Sequence, residues 1–305
     1  MTTINSTRLL ASLFCSLASG TQTPAQAVAP QPPSESEVFE YLENMYGSSS
    51  RKPTLSRSQV EQLRLRIDGT PQVSIPLLRK IMTDGRSGPG RANNVASEAE
   101  SVLRFVARTL SRDSASGRLV PAIERISPPL ASPPGYCALL DVSGDATIAQ
   151  GLTAHYSASG QWYGSRPSSV LGELRFSLTR TEGRVKSEEI FAVPLAQVAR
   201  LVVGFEHGAV GSGAEVWSIL LHDGREITIH RNFLEESGPG SVSPSRRAFD
   251  WYSLKSGEVQ GEALRFWGFG GQARSASGSV GRLEIGLDDV AVIRCRELRA
   301  SPPRR

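Results

Sequence analysis

The sequence predicts an α+β protein in two parts: an N-terminal helical-hairpin domain, then an antiparallel β-sandwich or partly open β-barrel domain. Three observations predict it. Apolar residues recur at three- and four-residue spacing up to position 126 and not beyond it. Residues 127–136 (SPPLASPPGY) hold four prolines and a glycine, the composition of a stiff connector. After position 137, short β-rich runs alternate with Gly and Ser, with no helical pattern of ten residues or more. The expected organisation is a signal peptide over 1–27, a helical domain over 34–126, a proline-rich linker over 127–136, a β domain over 137–299 and a polar tail over 300–305. The two domains are expected to fold independently.

The first segment has a polar start ending in Arg8, then a 12-residue run of apolar and small residues (LLASLFCSLASG), then Ala25-Gln26-Ala27. That is the layout of a cleaved secretory signal. The apolar run is far short of the roughly 20 residues a membrane span needs. Phe14 before Cys15 argues against lipid attachment there, since that position calls for a small residue. The expected compartment is the periplasm or the exterior, with no transmembrane segment in a mature chain starting near Val28.

Ser34 and Glu37 form a capping-box pair that opens a helix carrying Val38, Leu42 and Met45. Ser58 and Glu61 form a second, before Val60, Leu63 and Ile67, with Gly69 as the stop. Residues 73–82 carry Ile75, Leu77, Leu78 and Ile81. Residues 92–110 carry Val95, Ala99, Val102, Val106 and Leu110, and residues 119–126 make a last short helix. The spacing over 60–126 loosely resembles stacked helix pairs of the HEAT or armadillo type, on hydrophobic periodicity alone.

In the second part, Asp223-Gly224 between two β-rich runs marks a hairpin over 216–233. A two-residue turn there places His230 beside Trp217 and His222 at the turn. Further strands are expected over 174–179, 190–194, 199–204, 264–269, 283–287 and 290–295. VPLAQVARL at 193–201 and IGLDDVAVI at 285–293 align at a shift of 92 residues, a weak internal repeat.

Cys137 and Cys295 remain after the signal leaves, at the two ends of the β domain, and export makes them a disulfide pair. Their spacing does not suit zinc, and no metal or other cofactor is expected. Charge is uneven. Residues 51–125 hold 14 basic against 7 acidic side chains, while the β domain and tail hold 19 of each. A basic helical face suits an anionic surface, though a solvated Arg-rich face that needs no partner is the better reading. Export excludes nucleic acid as the partner.

No catalytic signature stands out. His222, His230 and Ser212 are the enzyme candidates, but Ser212 lacks the GxSxG frame. Glu188-Glu189, Glu235-Glu236 and Asp288-Asp289 are adjacent pairs, which on a strand face opposite ways; the last reads as a turn. The GFGG run at 268–271 lacks the spacing and helix of a dinucleotide site. Trp162, Tyr163, Trp251, Tyr252 and Trp267 are candidate binding aromatics. These features point to a non-catalytic envelope module binding a protein or a cell-wall or surface glycan; the alternative is a periplasmic hydrolase with its site in the β domain.

Overall fold

The computed structural model describes residues 31–46, 54–86, 91–158, 169–182, 185–206, 214–230, 233–239, 245–248, 256–259, 262–274 and 280–297. The expected signal, residues 1–27, and the tail, 300–305, lie outside the described residues. Those from Gln31 onward belong to one compact unit of mixed helix and strand.

Helix α1 is Glu35–Tyr46. Its capping box is the one the sequence predicts: the Glu37 amide donates to Ser34 Oγ (3.3 Å) and the Ser34 amide to Glu37 Oε2 (2.7 Å). Helix α2, Arg57–Gly69, starts two residues earlier than expected. Its box is Ser56 with Gln59, not Ser58 with Glu61. The Leu55 amide donates to Asn44 Oδ1 of α1 (3.3 Å), which anchors the approach to α2 at that point. Helix α3, Pro71–Arg86, follows at once, its first turn bonded to the Thr70 carbonyl.

Helix α4, Arg91–Ala107, ends before Leu110. The chain instead enters strand β1, Thr109–Arg112, which runs parallel to a strand of the main sheet. Strand β2, Leu119–Pro121, pairs with β1, and α5 is only Ala122–Ile126. The expected helix over 119–126 is therefore half strand. Leu110 and Leu119 are buried in both readings, and the partner strand, not local periodicity, decides the backbone.

The remaining strands are β3 Cys137–Asp141, β4 Ala146–Ala158, β5 Ser169–Leu171, β6 Glu173–Glu182, β7 Val185–Pro194, β8 Val198–Glu206, β9 Ala214–Leu221, β10 Glu226–Ile229, β11 Phe233–Ser237, β12 Ser245–Ala248, β13 Ser256–Val259, β14 Glu262–Arg274, β15 Val280–Gly286 and β16 Val290–Cys295. The sheet path is β12-β11-β10-β9-β8-β16-β3-β4-β14-β13, antiparallel throughout; β15 and β5 are attached at β14 and β4. It is one open sheet, neither a two-sheet sandwich nor a closed barrel. Its two end strands are not bonded to each other, and both lie beside β6 of the separate β6–β7 hairpin.

The sheet curls strongly. β9 and β14 are five strands apart on the path, roughly 24 Å if flat. Yet the rings of Trp217 and Phe266 meet at 5.6 Å between centroids, and Phe176 of β6 closes on Trp217 at 6.2 Å. The concave face holds one of the two apolar cores. The Tyr156 hydroxyl ties the hairpin to it, accepting from the Arg175 amide (3.1 Å) and donating to the Glu173 carbonyl (3.3 Å).

The convex face is also buried. Leu140, Val142, Val202, Val216, Ala291 and Val292 pack against apolar residues of α1 to α5. Leu201 and Val203 point inward while Val202 points to the helices, so β8 reads as a continuous apolar run. Helices and sheet share this core across the proline segment, a relation that periodicity within either part does not display. The segment itself is anchored: the Gly135 amide donates to the Arg296 carbonyl (2.8 Å) and the Arg296 amide to the Tyr136 carbonyl (3.0 Å).

The repeat seen in the sequence has a geometric counterpart. Leu201 of β8 lies opposite its 92-residue equivalent, Ile293 of β16. Each strand follows a 3₁₀ turn, Leu195–Gln197 or Leu287–Asp289. A local twofold through that pair relates β8 to β16, β9 to β3 and β10 to β4. The two outer hairpins have the same turn. Leu221 and Arg225 close one (2.8 Å), Asp141 and Asp145 the other (3.1 Å), and the last loop residue is Gly224 (φ 86°) or Gly144 (φ 84°). Only glycine adopts that left-handed backbone without cost.

The Asp223-Gly224 hairpin thus has a three-residue loop, His222 to Gly224, rather than the two-residue turn expected. The register moves by one: Trp217 lies opposite Ile229, not His230. This is what buries Ile227 and Ile229 with Trp217. Cys137 and Cys295 lie opposite each other on β3 and β16 and are bridged, with Cα atoms 4.0 Å apart.

Candidate functional site

The sequence-predicted residues scatter. His222 sits in its hairpin loop, with its amide donating to the Gln197 carbonyl (2.8 Å). His230 stacks on Phe233 (4.3 Å between centroids), with Glu235 at 3.7 Å and Glu206 at 4.0 Å, and its Nε2 is buried without a hydrogen-bond partner among the described residues. Ser212, Trp162, Tyr163, Trp251 and Tyr252 lie outside the described residues. Trp267 is half-buried on β14, its ring 6.4 Å from that of His155.

His155 marks a site that the sequence reading passed over. It stands on the convex face of β4, beside β14 and β15, in a groove of about 540 Å³. Two β-bulges shape this corner. The first gives β14 an extra residue, Trp267, opposite Tyr156 and His155. The second gives β4 an extra residue near Gly151, whose φ is 64°. Residues three apart on a regular strand face opposite ways. The Gly151 bulge cancels that alternation, so Gln150 lines the same groove as Thr153 and His155.

Two cross-strand rows result. Gln150, Gln272 and Arg282 stand opposite one another on β4, β14 and β15. The neighbouring row is Thr153, Gly270 and Glu284. Gly270 accounts for part of the GFGG run: a Cβ there would overlap the His155 ring, which packs against bare backbone. Val170 and Leu283 add apolar surface, and Arg282 pairs with Glu284 at 2.5 Å while remaining largely exposed.

The hydrogen-bond pattern sets the imidazole tautomer. The Thr153 hydroxyl donates its one proton to the Gly270 carbonyl (3.2 Å), so at 3.1 Å from His155 Nε2 it accepts. His155 is then the Nε2–H tautomer, and Nδ1 carries a lone pair. That atom is buried and has no hydrogen-bond partner among the described residues. His155 is only 4% exposed, and burial pushes its titration below the usual histidine range, against the opposing pull of Glu284. The ring is neutral at neutral pH.

Chemically this is a recognition surface. The carboxamides donate and accept, the guanidinium donates, and the glycines bare main chain. None of the described lining residues is a carboxylate. The sequence signal that pointed here was the glycine run inside a strand, which marks a bulge or a close approach. Family models, curated proteins and solved structures were compared with the chain, and none of them matches it.

Proposed function

We propose that the protein is an exported, non-catalytic envelope module whose convex groove binds a cell-wall or surface glycan. The observation that carries this reading is the row Gln150–Gln272–Arg282 beside Thr153 and His155. Sugar hydroxyls donate and accept at once, and carboxamides match both roles. Val170 and Leu283 offer apolar contact to the C–H face of a sugar ring. The bridged cysteines suit an oxidising compartment, and no described helix is long and apolar enough to cross a membrane.

A hydrolase is the second reading, because His155 touches a hydroxyl. The geometry weighs against it. In the assigned tautomer Nε2 donates to Thr153 and cannot take its proton, and the usual glycosidase carboxylate pair is missing from the described lining residues. The test is titration of the protein with peptidoglycan fragments and surface polysaccharides, following tryptophan fluorescence. Saturable binding that Gln150→Ala and Gln272→Ala weaken supports the proposal. No glycan binding, with an envelope protein captured through the same residues, replaces the glycan with a protein partner. Turnover of a glycoside or ester substrate that His155→Ala abolishes establishes the hydrolase.

A further inference from the structure

Most of the basic excess over 51–125 is spent inside the molecule. Arg66 pairs with Glu37, Lys80 with Glu35, Arg86 with Glu100, and Arg104 with Glu100 and Asp289. Arg108 is buried against Asp288 and the Phe205 ring. A neutralised helical face is a poor lipid or polyanion surface. The unspent positive charge gathers elsewhere.

A second groove, about 630 Å³, lies at the seam of helices and sheet, between the β1–β2 loop, the proline segment, β8 and the end of β16. Four guanidinium-bearing residues line it: Arg118, Arg200, Arg294 and Arg296. Arg200 and Arg294 stand directly opposite on β8 and β16. Like charges so placed repel, and Glu124 relieves them by bonding Arg200 through Oε2 (2.7 Å) and Arg294 through Oε1 (2.5 Å). Both of its oxygens are thereby used. The other carboxylate, Asp113, is turned to its own loop, accepting from the Ser116 hydroxyl (2.6 Å) and amide (2.9 Å). Those bonds hold its carboxyl below the usual range, so it stays charged. Arg118 and Arg296 are exposed and have no ion pair among the described residues.

We propose that this groove is a binding site for a phosphomonoester. Four positive against two negative groups leave an excess of two, which matches the charge of roughly −1.5 to −2 on such a phosphate at neutral pH. Arginine forks suit its oxygens in pairs. A singly charged carboxylate leaves half of the excess unbalanced. The proposal is independent of the glycan reading and uses a different groove, lined by different residues.

The test is calorimetric titration of the protein with inorganic phosphate, set beside the Arg118→Ala/Arg296→Ala double variant. Both side chains are exposed and unpaired, so an unchanged melting temperature shows that the variant is folded. Saturable binding that the double variant weakens by about tenfold or more is expected. Sedimentation with phosphatidic acid vesicles, against phosphatidylcholine vesicles, separates the sources. Arginine-dependent pelleting with the former identifies a lipid headgroup, and phosphate binding without pelleting identifies a soluble ester. Absence of saturable phosphate binding, or binding that the double variant keeps, overturns the proposal.

Discussion

Glu124 bonds Arg200 and Arg294 with separate carboxylate oxygens, so one acidic side chain of α5 bridges two arginines that face each other across the sheet's central strands. Arg200 and Glu124 are each 9% exposed at the side chain. Removing the charge leaves a buried cation opposite another. Glu124→Gln is expected to lower unfolding free energy by about 3 kcal/mol, read as a fall in urea midpoint with unchanged slope. An unaltered midpoint would show that solvent already screens the pair.

Gly270→Ala is expected to destabilise by about 1–3 kcal/mol, because the added methyl needs the space of the His155 ring. The same change weakens ligand binding in the convex groove. His155→Ala in the same chain gives the methyl room, so the double variant is more stable than the sum of the single costs predicts. Additive costs in a double-mutant cycle would show that the two positions do not compete.

Cys137 and Cys295 close a loop with a sequence separation of 158 residues. Cys137→Ala and Cys295→Ala are each expected to cost up to about 5 kcal/mol, and the double change little more than either. Thermal unfolding under oxidising conditions measures this, and reductant should lower the wild type to the level of the variants.

The Glu37 carboxyl is held down to about 2 by the Arg66 guanidinium first, then by the Ser34 amide and hydroxyl. The folded value lies below the ordinary 4.5. Its stabilising contribution is therefore complete above about pH 4.5 and fades as pH falls towards 2. Carboxyl chemical shifts should place the Glu37 midpoint near 2, and Arg66→Ala should move it up towards the ordinary value. Glu37 is more than a third exposed, so the effect on global stability is small.

A fragment of residues 137–299 should not stay monomeric. It carries Leu140, Val142, Val202, Val216, Ala291 and Val292 on a face that the helices cover. Size-exclusion chromatography of that fragment in an oxidising medium is expected to show aggregation, while residues 31–299 run as a single species.

Local rules were legible in the sequence. The α1 capping box, the strand positions from β6 to β8 and from β14 to β16 and the turn at Asp288-Asp289 follow from chemistry within a few residues, and the cysteine pairing from their even number and their places at the two ends of the β part. Nonlocal pairing was less legible. Leu110 and Leu119 fit a helical period, yet a partner strand takes both. The Asp223-Gly224 turn was visible, but its loop length rests on burying Ile227 and Ile229 together, and one residue decides where His230 points. The groove was hidden for the same reason: Gln150 is far in sequence from Gln272 and Arg282, and it shares a face with Thr153 and His155 only through the Gly151 bulge. The arginine groove was hidden too, since charge counts cannot say which cations meet an acid.

β16 occupies the middle of the sheet, between β8 and β3, although it is the last strand made. A chain delivered N-terminus first from a ribosome lacks its central hydrogen-bonding partner until Val290–Cys295 have emerged. Before then β3 and β8 have no common neighbour, the helices have only part of a surface to settle on, and Cys137 has no partner. Completion of the sheet thus waits for Val290–Cys295. The place of β16 in the sheet thus ties the order of synthesis to the order of assembly, with the centre of the sheet closing after its flanks are made.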